Sequence, residues 1–311
     1  MEIIKGIDSI GSDWGGAVLS IGNFDGVHLA HKNICAKLRE KSQSERLKSV
    51  ILTFDPHPLS VVAPDRCPSL MTTLSEKIAR LEKEGVDALI VEPFTRNLSG
   101  FSPEEFVATY IIDGIKCKHI LVGYNFRFGK NREGNIDFLK TLGKEFDFLV
   151  DVLEPFSFQG KVVSSTEIRK LLASGSVADA NLLLGTRHSL EGLVERGDGR
   201  GSKIGVPTAN ISSPSTLVPS NGVYACWSKV DAVSSEYLPT VLNIGNRPTF
   251  DGLGVTIEAH LINWEGGDIY GEEIRLEFVR KIRDEMKFPS VENLVQQIGL
   301  DIEQARTILE K

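Results

Sequence analysis

Two histidines three residues apart, His28 and His31, have the types and spacing to do chemistry. They follow the turn residues of GNFDG and open a segment with helical spacing, so their side chains should face the same way. The amides and the dipole at a helix start favour an anion, and two imidazoles add hydrogen-bond donors. The pair therefore favours a phosphate site. Two alternatives stay open: a metal site, although HExxH is absent, and two histidines that are merely polar residues at a helix start.

A second possible anion site lies in SSTEIR, residues 164–169. Ser164 and Glu167 fit a capping box, which would make the hydroxyls purely structural. Arg169, however, falls in the first turns of the helix, where a cation is unfavourable to the dipole unless an anion is present. The segment is consistent with a phosphate cradle as well as with a helix cap.

The glycine-bounded loop GYNFRFG, residues 123–129, offers contacts for a flat or charged ligand. Arg127 could lie over a phosphate and Phe128 against a planar ring, with Asn125 beside them. The alternative is a surface loop with one buried phenylalanine. DPHP, residues 55–58, indicates by itself only a turn that ends a strand.

The second half of the chain has a glycine-rich loop followed by oxygen-bearing side chains. GDGRGSKIG carries cations as a phosphate loop would, but it lacks the Walker A spacing, and a flexible hairpin would look the same. Thr208 and Asn210, two residues apart in PTANI, would share one face of a strand, where their oxygens could bind Mg²⁺. Glu258 lies in VTIEAHLI opposite an apolar face, so alternation alone predicts a solvent-facing glutamate.

The elements that must position these groups alternate in type through the first part of the chain. AVLSI, VILTF, DALIV, HILVG, FDFLVDV and KVVSS predict strands, and helical segments lie between several of them. Ser75 and Ser102 are the expected N-caps of two of these helices, and Gly85 is the expected residue after the first. This alternation predicts a doubly wound parallel sheet, in which ligands bind beyond the carboxyl ends of the strands. The polar clusters all follow such runs.

After LLLG, residues 182–185, short strand-like runs are separated by Gly, Pro and Asn. LEGLVERG, GVYACW, PTVLNIG, VTIEAHLI and EIRLEFV predict an antiparallel β-barrel, and one helix within residues 290–311 closes the chain. We place the boundary at Gly185, the expected cap of the preceding helix, which gives domains of residues 1–185 and 186–311.

Composition argues against several classes of partner and against a membrane-spanning protein. The 311 residues carry a net charge of −7 without a basic cluster, which argues against nucleic acid and membrane surfaces as partners. The four cysteines form no CxxC pair, and no segment approaches the ~20 apolar residues of a membrane span. We expect a soluble cytoplasmic protein with reduced thiols; the sequence does not indicate an oligomeric state.

Taken in order, these motifs resemble those of the bacterial bifunctional riboflavin kinase/FAD synthetases. GNFDGVHLAH is similar to the GxFDGVHxGH motif of the HxGH nucleotidylyltransferases, and FDPHP, VGYNFRFG and SSTEIRKLLASG follow it. The resemblance continues through GSKIGVPTANI, GVYACW, NIGNRPTFDG, IEAHLI, DIYGEEIRLEF and IRDEMKF, and so covers nearly the whole chain. It departs at Ala30, where the motif has glycine.

The resemblance implies two reactions that use ATP. A Rossmann-like first module would let the FMN phosphate attack the α-phosphorus of ATP and release pyrophosphate, with His28 and His31 as catalytic residues and no covalent intermediate. The second module would phosphorylate riboflavin, with Glu258 as general base. Ala30 motivates one alternative, a riboflavin kinase with a degenerate adenylyltransferase module, and a non-catalytic flavin-binding regulator is another.

The resemblance also implies which residues bind each ligand. Those that would bind ATP or its phosphates are Gly22, Phe24, His28, His31, Ser164, Ser165, Thr166, Arg169, Gly201, Lys203 and Gly205. Those that would bind the flavin are Asn125, Arg127, Phe128 and Arg283, although Arg283 could equally be a surface arginine. The implied cofactor is Mg²⁺, held by Thr208 and Asn210, and the implied partners are the small-molecule substrates ATP, riboflavin and FMN.

Overall fold

A computed structural model describes residues 1–11, 14–197, 201, 205–234, 236–249, 252–264 and 266–310. The chain divides into two compact units. The first unit comprises Met1–Ser69 and Leu74–Val163, and the second comprises Leu70–Thr73 and Ser164–Lys311.

The first unit is built on a parallel sheet whose strands lie in the order β1-β4-β3-β2-β5-β6. The strands are β1 (Glu2–Lys5), β2 (Ala17–Ile21), β3 (Lys48–Asp55), β4 (Ala88–Pro93), β5 (Cys117–Gly123) and β6 (Leu149–Leu153). The helices are α1 (Leu29–Glu45), α2 (Pro58–Val62), α3 (Leu74–Glu82), α4 (Arg96–Ser99), α5 (Pro103–Phe106) with a π-helical continuation (Val107–Gly114), and α6 (Ile136–Glu145). Short 3₁₀ turns cover Ile7–Ser9, Asp25–Val27, Pro64–Arg66 and Lys130–Arg132. The predicted doubly wound parallel sheet is confirmed.

The central strands carry apolar residues on both faces because both faces of the sheet are covered. Leu19 of β2 belongs to one apolar cluster, whereas its neighbour Val18 belongs to a second. Val50 and Ile51 of β3 divide in the same way. Such strands are continuous apolar runs in the sequence.

The chain order reverses beside β2, and this reversal locates the crevice of the first unit. From β2 the chain continues to β3 and β4 on one side, whereas β5 and β6 lie on the other. In open sheets of this kind, ligands bind outside the carboxyl ends of the strands at such a switch point. Residues 22–28 follow β2, residues 56–58 follow β3 and residues 124–129 follow β5. Three of the four predicted polar clusters therefore lie at one edge of the sheet.

Capping residues and strand-like runs predicted some boundaries of helices and strands correctly and others incorrectly. Ser102 caps α5 by accepting a hydrogen bond from the Glu105 amide, and Gly85 takes a left-handed φ of +69° after α3. The predicted N-cap at Ser75 is wrong, because α3 begins one residue earlier and includes Ser75. KVVSS does not join the sheet: β8 (Lys161–Val162) instead forms a hairpin with β7 (Ser157–Phe158).

The second unit contains a closed antiparallel barrel in the order β10-β13-β12-β11-β14-β9. Its strands are β9 (Ser189–Glu195), β10 (Ala209–Ser212), β11 (Gly222–Lys229), β12 (Leu238–Thr249), β13 (Gly252–Leu261) and β14 (Glu273–Arg283). The helices of the unit are α7 (Ser165–Ala173), α8 (Val177–Leu184) and α9 (Val291–Leu309). Ala305 and Leu309 of α9 pack with Val223 and Ala225 of β11. The predicted barrel and C-terminal helix are confirmed.

Helix α8 is tied to the barrel by one asparagine. Asn181 donates from Nδ2 to the carbonyl of Phe278 at 2.8 Å, and its Oδ1 accepts from the amide of His188 at 2.7 Å. Gly185 caps α8 with a φ of +66°. The domain boundary at Gly185 stays a prediction.

Candidate active sites

Gly22 and Phe24 shape the turn that follows β2. Phe24 has a left-handed φ of +48°, and its ring is buried among Val18 and Val27. A Cβ at position 22 would lie 3.3 Å from that ring, so glycine leaves room for it. The Phe24 ring lies 4.8 Å from the ring of His31. Gly22 therefore makes room for the Phe24 ring, and that ring packs beside the ring of His31.

His28 and His31 stack on each other at the start of α1. Their ring centroids are 3.7 Å apart, with an interplanar angle of 12°. His28 is the N-cap, and its Nδ1 accepts from the His31 amide at 3.4 Å. A neutral His28 therefore carries its proton on Nε2. The Nδ1 of His31 is buried and has no hydrogen-bond partner among the described residues.

Burial keeps the His31 ring neutral in the free protein. Burial is the largest cause that holds the pKa of His31 well below its usual value, followed by the charges of His28 and Lys77. A buried imidazole without a partner costs free energy, which a bound anion would offset by accepting a hydrogen bond and favouring the charged ring.

Helix α3 brings three charged side chains to the same turn, and sequence reasoning missed them. Arg80 donates from Nη1 to the carbonyl of Gly26 at 3.0 Å and pairs through Nη2 with Glu76 at 2.6 Å. Glu76 and Lys77 are both buried. The available signal was Lys77, which falls on the apolar face of α3, three residues after Leu74.

The DPHP turn is attached to the loop that follows β2. Thr53 donates from its hydroxyl to the carbonyl of Asn23 at 3.2 Å. The Nδ2 of Asn23 lies 3.0 Å from the Nε2 of His57, whose Nδ1 accepts from the Leu59 amide at 3.2 Å. The turn therefore not only ends β3 but also contacts the loop that leads to His28 and His31, through His57 and Asn23.

The loop after β5 has two exposed side chains and one that is buried. Asn125 and Arg127 are exposed at the carboxyl end of the sheet. Phe128 is 7% exposed, and its ring stacks on Phe126 with 5.5 Å between centroids. A Cβ at Gly134 would lie 2.7 Å from the Phe128 ring, so the site is tightly filled. Phe128 thus anchors the loop, and its contact with a flavin stays a prediction.

Residues 164–169 belong to the second unit, whereas His28 and His31 belong to the first. Ser164 is the N-cap of α7, and its hydroxyl accepts from the Glu167 amide at 3.2 Å. Ser165 and Arg169 are half-buried, and Thr166 is exposed. The predicted helix cap is observed, and the phosphate contacts of these residues stay a prediction.

A row of polar side chains crosses three strands of the barrel. Glu258 of β13 lies opposite Asn210 of β10 on one side and opposite Asn243 of β12 on the other. Directly paired residues of antiparallel strands share one face of the sheet. Sequence reasoning missed Asn243. The available signal was its position between Leu242 and Ile244, because a polar residue between two buried apolar ones points to the opposite face of a strand.

Thr208 and Asn210 fit a site for a hard cation. Both are half-buried, and Ala209 between them is buried on the opposite face. A Cβ on Gly197 would overlap the Asn210 amide, and one on Gly201 would lie 3.1 Å from the Thr208 hydroxyl. The glycines therefore bring backbone close to two oxygen ligands of the type that Mg²⁺ prefers.

Gly205 and Lys203 belong to the predicted phosphate loop of the second half. Gly205 is exposed with a φ of +79°, whereas Lys203 lies outside the described residues. Within the described part of the chain, no group of three His, Cys, Asp or Glu side chains could hold a metal ion. The metal alternative for His28 and His31 thus finds no third ligand of these types among those residues.

Arg283, at the end of β14, is engaged by the C-terminal helix. Its Nε lies 2.9 Å from Oδ1 of Asp301, and its Nη2 lies 2.8 Å from Oδ2. Asp301 is 2% exposed and also accepts from Gln297 at 2.9 Å. Arg283 therefore ties α9 to the barrel, and its contact with a flavin stays a prediction.

All four cysteines, Cys35, Cys67, Cys117 and Cys226, are free thiols. None of the described helices has both the length and the apolar character that crossing a membrane would require.

Comparisons with known proteins match both halves of the chain. The profile of the FAD synthetase family matches residues 11–167, and that of the riboflavin kinase family matches residues 184–309. The bifunctional riboflavin kinase/FMN adenylyltransferase of Haemophilus influenzae is 36% identical over 98% of this chain and 98% of its own length. That of Escherichia coli is 36% identical over 97% of this chain and 96% of its own.

Other relatives extend the same similarity. The bifunctional riboflavin kinase/FMN adenylyltransferase of Pseudomonas fluorescens is 35% identical over 99% of this chain and 98% of its own. A crystal structure described as a macrolide-efflux protein from Streptococcus pneumoniae is 28% identical, with a TM-score of 0.85 over 98% of this chain and 99% of its own. The similarity therefore spans both units.

Proposed function

The chain belongs to the family of bifunctional riboflavin kinase/FMN adenylyltransferases, and on that premise we propose how its residues carry out the two reactions. The enzyme phosphorylates riboflavin to FMN with one ATP and transfers AMP from a second ATP to FMN, giving FAD and pyrophosphate. The observation that carries the proposal is that each matched half holds its own polar site, the first at the carboxyl ends of parallel strands and the second across three strands of the barrel.

In adenylyl transfer, His28 and His31 bind the phosphates of ATP. An FMN phosphate oxygen attacks the α-phosphorus, the bond to the bridging oxygen breaks, and pyrophosphate leaves with the electron pair. The buried rings then offer hydrogen bonds to an anion, each worth about 1.5–3 kcal/mol when it is charge-assisted. Positioning and charge stabilisation suffice for such a displacement, without a covalent intermediate.

Other residues complete this reaction. Gly22 and Phe24 hold the turn beneath the histidines, next to the ATP phosphates. Ser164, Ser165, Thr166 and Arg169 form the second phosphate-contacting group. Asn125 and Arg127 are exposed where a flavin could reach them, and Phe128 anchors their loop. Asn125 and Arg127 would orient the FMN phosphate.

In the kinase reaction, Glu258 accepts the proton of the riboflavin 5′-hydroxyl as that oxygen attacks the γ-phosphorus of ATP and ADP leaves. Asn210, directly opposite Glu258, would hold Mg²⁺ together with Thr208. When bound, the ion supplies charge neutralisation at the ATP phosphates. Gly201, Lys203 and Gly205 would contact the phosphates.

At the flavin end of the kinase site, we assign Arg283 to riboflavin. The ion pair with Asp301 and the hydrogen bond from Nη1 to the carbonyl of Asp284 at 2.9 Å fix the direction of the guanidinium. We also propose a cytoplasmic location and a flavin-binding enzyme that acts on small molecules. The four free thiols support a reducing compartment.

The kinase-only alternative depends on Ala30. That residue lies in the first turn of α1, after the N-cap His28. A helical backbone accommodates alanine without strain and is favoured by it over glycine. The substitution therefore gives no reason to expect a lost adenylyltransferase.

Two single variants test the proposal. Glu258→Gln keeps the shape and removes the base, so FMN formation from riboflavin should fall by ~10²-fold or more while FAD formation from supplied FMN persists. His31→Ala should do the reverse. Chromatography of the flavins measures both rates. The matched control is Glu273→Gln, an exposed barrel glutamate that should change neither rate. Wild-type FMN formation by Glu258→Gln would refute the base assignment.

A further inference from the structure

Lys77 is a buried cation on the apolar face of α3. It is 9% exposed, although lysine is rarely so buried unless it is paired. The neighbouring residues Ile78 and Leu81 pack in the same apolar cluster as Phe24 and Val27. Among the described residues, no salt bridge or hydrogen bond of the Lys77 ammonium is found. A buried ammonium of this kind calls for an anion.

The charges around Lys77 come from the edge of the sheet that carries the histidines. Burial lowers the pKa of Lys77, while Asp25 in the turn after β2 and Asp55 at the end of β3 act in the opposite direction. The charge of Lys77 in turn contributes to the low pKa of His31. The ammonium is therefore close enough to the His31 ring for the two groups to affect each other.

In the free protein, neither the Lys77 ammonium nor the buried Nδ1 of His31 has a hydrogen-bond partner among the described residues. The Lys77 side chain is buried and the His31 ring is half-buried. The charged forms of the two groups repel each other. A polyanion between them would remove both costs at once, because it attracts the ammonium and accepts from the ring. Triphosphate and pyrophosphate have this chemistry.

The position within the sheet distinguishes the two substrates of the reaction. Asp25 and Asp55 follow the neighbouring strands β2 and β3, whereas Asn125 follows β5 on the other side of β2. Lys77 therefore belongs to the β3 side of the switch point, away from the loop assigned to the flavin. The β3 side is where the leaving end of ATP would lie.

We propose that the ammonium of Lys77 binds the β- and γ-phosphates of ATP during adenylyl transfer and stabilises pyrophosphate as it leaves. This assignment rests on the proposed binding of the ATP phosphates by His28 and His31. The new bond joins the FMN oxygen to the α-phosphorus, and the electron pair of the broken bond stays on pyrophosphate. Lys77 keeps its proton throughout, and Asp25 and Asp55 favour its charged form when the site is empty.

The test uses the reverse reaction of the full-length enzyme, in which pyrophosphate attacks FAD and yields ATP and FMN. The kinase reaction does not use pyrophosphate, so the KM for pyrophosphate reports on this site alone. Lys77→Met removes the charge and keeps the length. We expect it to raise that KM on the order of tenfold or more, with the KM for FAD and the riboflavin kinase rate within about twofold of wild type.

Two further variants make the result specific. Lys83→Met removes an exposed lysine just beyond α3 and should leave both KM values unchanged. His31→Ala should also raise the KM for pyrophosphate. If His31→Ala raises it and Lys77→Met does not, the histidine site stands and the proposal for Lys77 is overturned. If neither variant raises it, the phosphate site itself is misplaced, and the proposal falls with it.

A purely structural role of Lys77 gives a different pattern. It predicts that Lys77→Met raises the KM for FAD and lowers thermal stability as well, because the fold of the first unit is damaged. Lys77→Gln, which removes the charge but keeps a polar side chain, then decides the question. A raised KM for pyrophosphate with an unchanged KM for FAD supports phosphate binding, whereas two unchanged KM values overturn it.

Discussion

Replacing His31 with glutamine should make the stability of the protein less sensitive to acid. Burial, His28 and Lys77 hold the pKa of His31 well below its usual value in the folded chain, whereas unfolding returns it to about 6.5. As the pH falls below 7, the unfolded state therefore binds a proton here that the folded state does not. The free energy of unfolding must then fall with pH.

The magnitude follows from linkage. If the folded ring stays neutral down to pH 5, this one residue lowers the free energy of unfolding by about 2 kcal/mol between pH 7 and pH 5. Other groups titrate over the same range, so the informative quantity is a difference between proteins. His31→Gln should lose about 2 kcal/mol less than wild type over that interval.

Urea unfolding at pH 5, 6 and 7, without nucleotide and at constant ionic strength, measures this difference. Because the chain has two compact units, the transition of the first unit must be followed separately. Trp14, which is 4% exposed in that unit, reports on it once Trp227 and Trp264 of the second unit are replaced by phenylalanine in both proteins. An equal loss of stability in wild type and variant would contradict a neutral, buried His31. The assay needs no substrate, so it tests the geometry apart from the activity.

Two further predictions concern Ala30 and the second unit. The wild type should make FAD, and Ala30→Gly should change the KM for ATP in that step by at most about tenfold, measured by ATP titration with FMN; an inactive wild type rescued by glycine would contradict this. Fragments 164–311 and 186–311 should both phosphorylate riboflavin, but 164–311 should have the higher Tm because it keeps the hydrogen bonds of Asn181 to the barrel. Equal Tm values would show that α7 and α8 do not stabilise the barrel.

The parallel sheet and the barrel were predictable because they depend on local pattern. A sheet covered on both faces produces continuous apolar runs, and barrel strands produce short runs between turn residues. β1 was missed because Glu2–Lys5 contains only two apolar residues and is recognisable only through its pairing with β4. KVVSS has strand composition, but its partner is the neighbouring short strand β7 rather than the sheet.

The sequence predicted those site residues that lie close together in one continuous segment of the chain. His28 and His31 meet because they lie three positions apart at the start of one helix. Lys77 reaches the same turn from a separate helix, and only its place on an apolar face hinted at it. Arg283 shows the converse, since its partner Asp301 lies on a helix whose docking the sequence does not specify. Long-range packing decides such contacts.

The central claim is that one chain carries two active sites, one for each reaction. Its most direct test is an equimolar mixture of Glu258→Gln and His31→Ala, supplied with riboflavin, ATP and Mg²⁺ and analysed by flavin chromatography. Alone, the first variant should leave riboflavin unchanged and the second should stop at FMN. The mixture should make FAD, because one variant supplies the FMN that the other adenylylates. A mixture that accumulates FMN without FAD, or a single variant that makes FAD at the wild-type rate, would contradict the account.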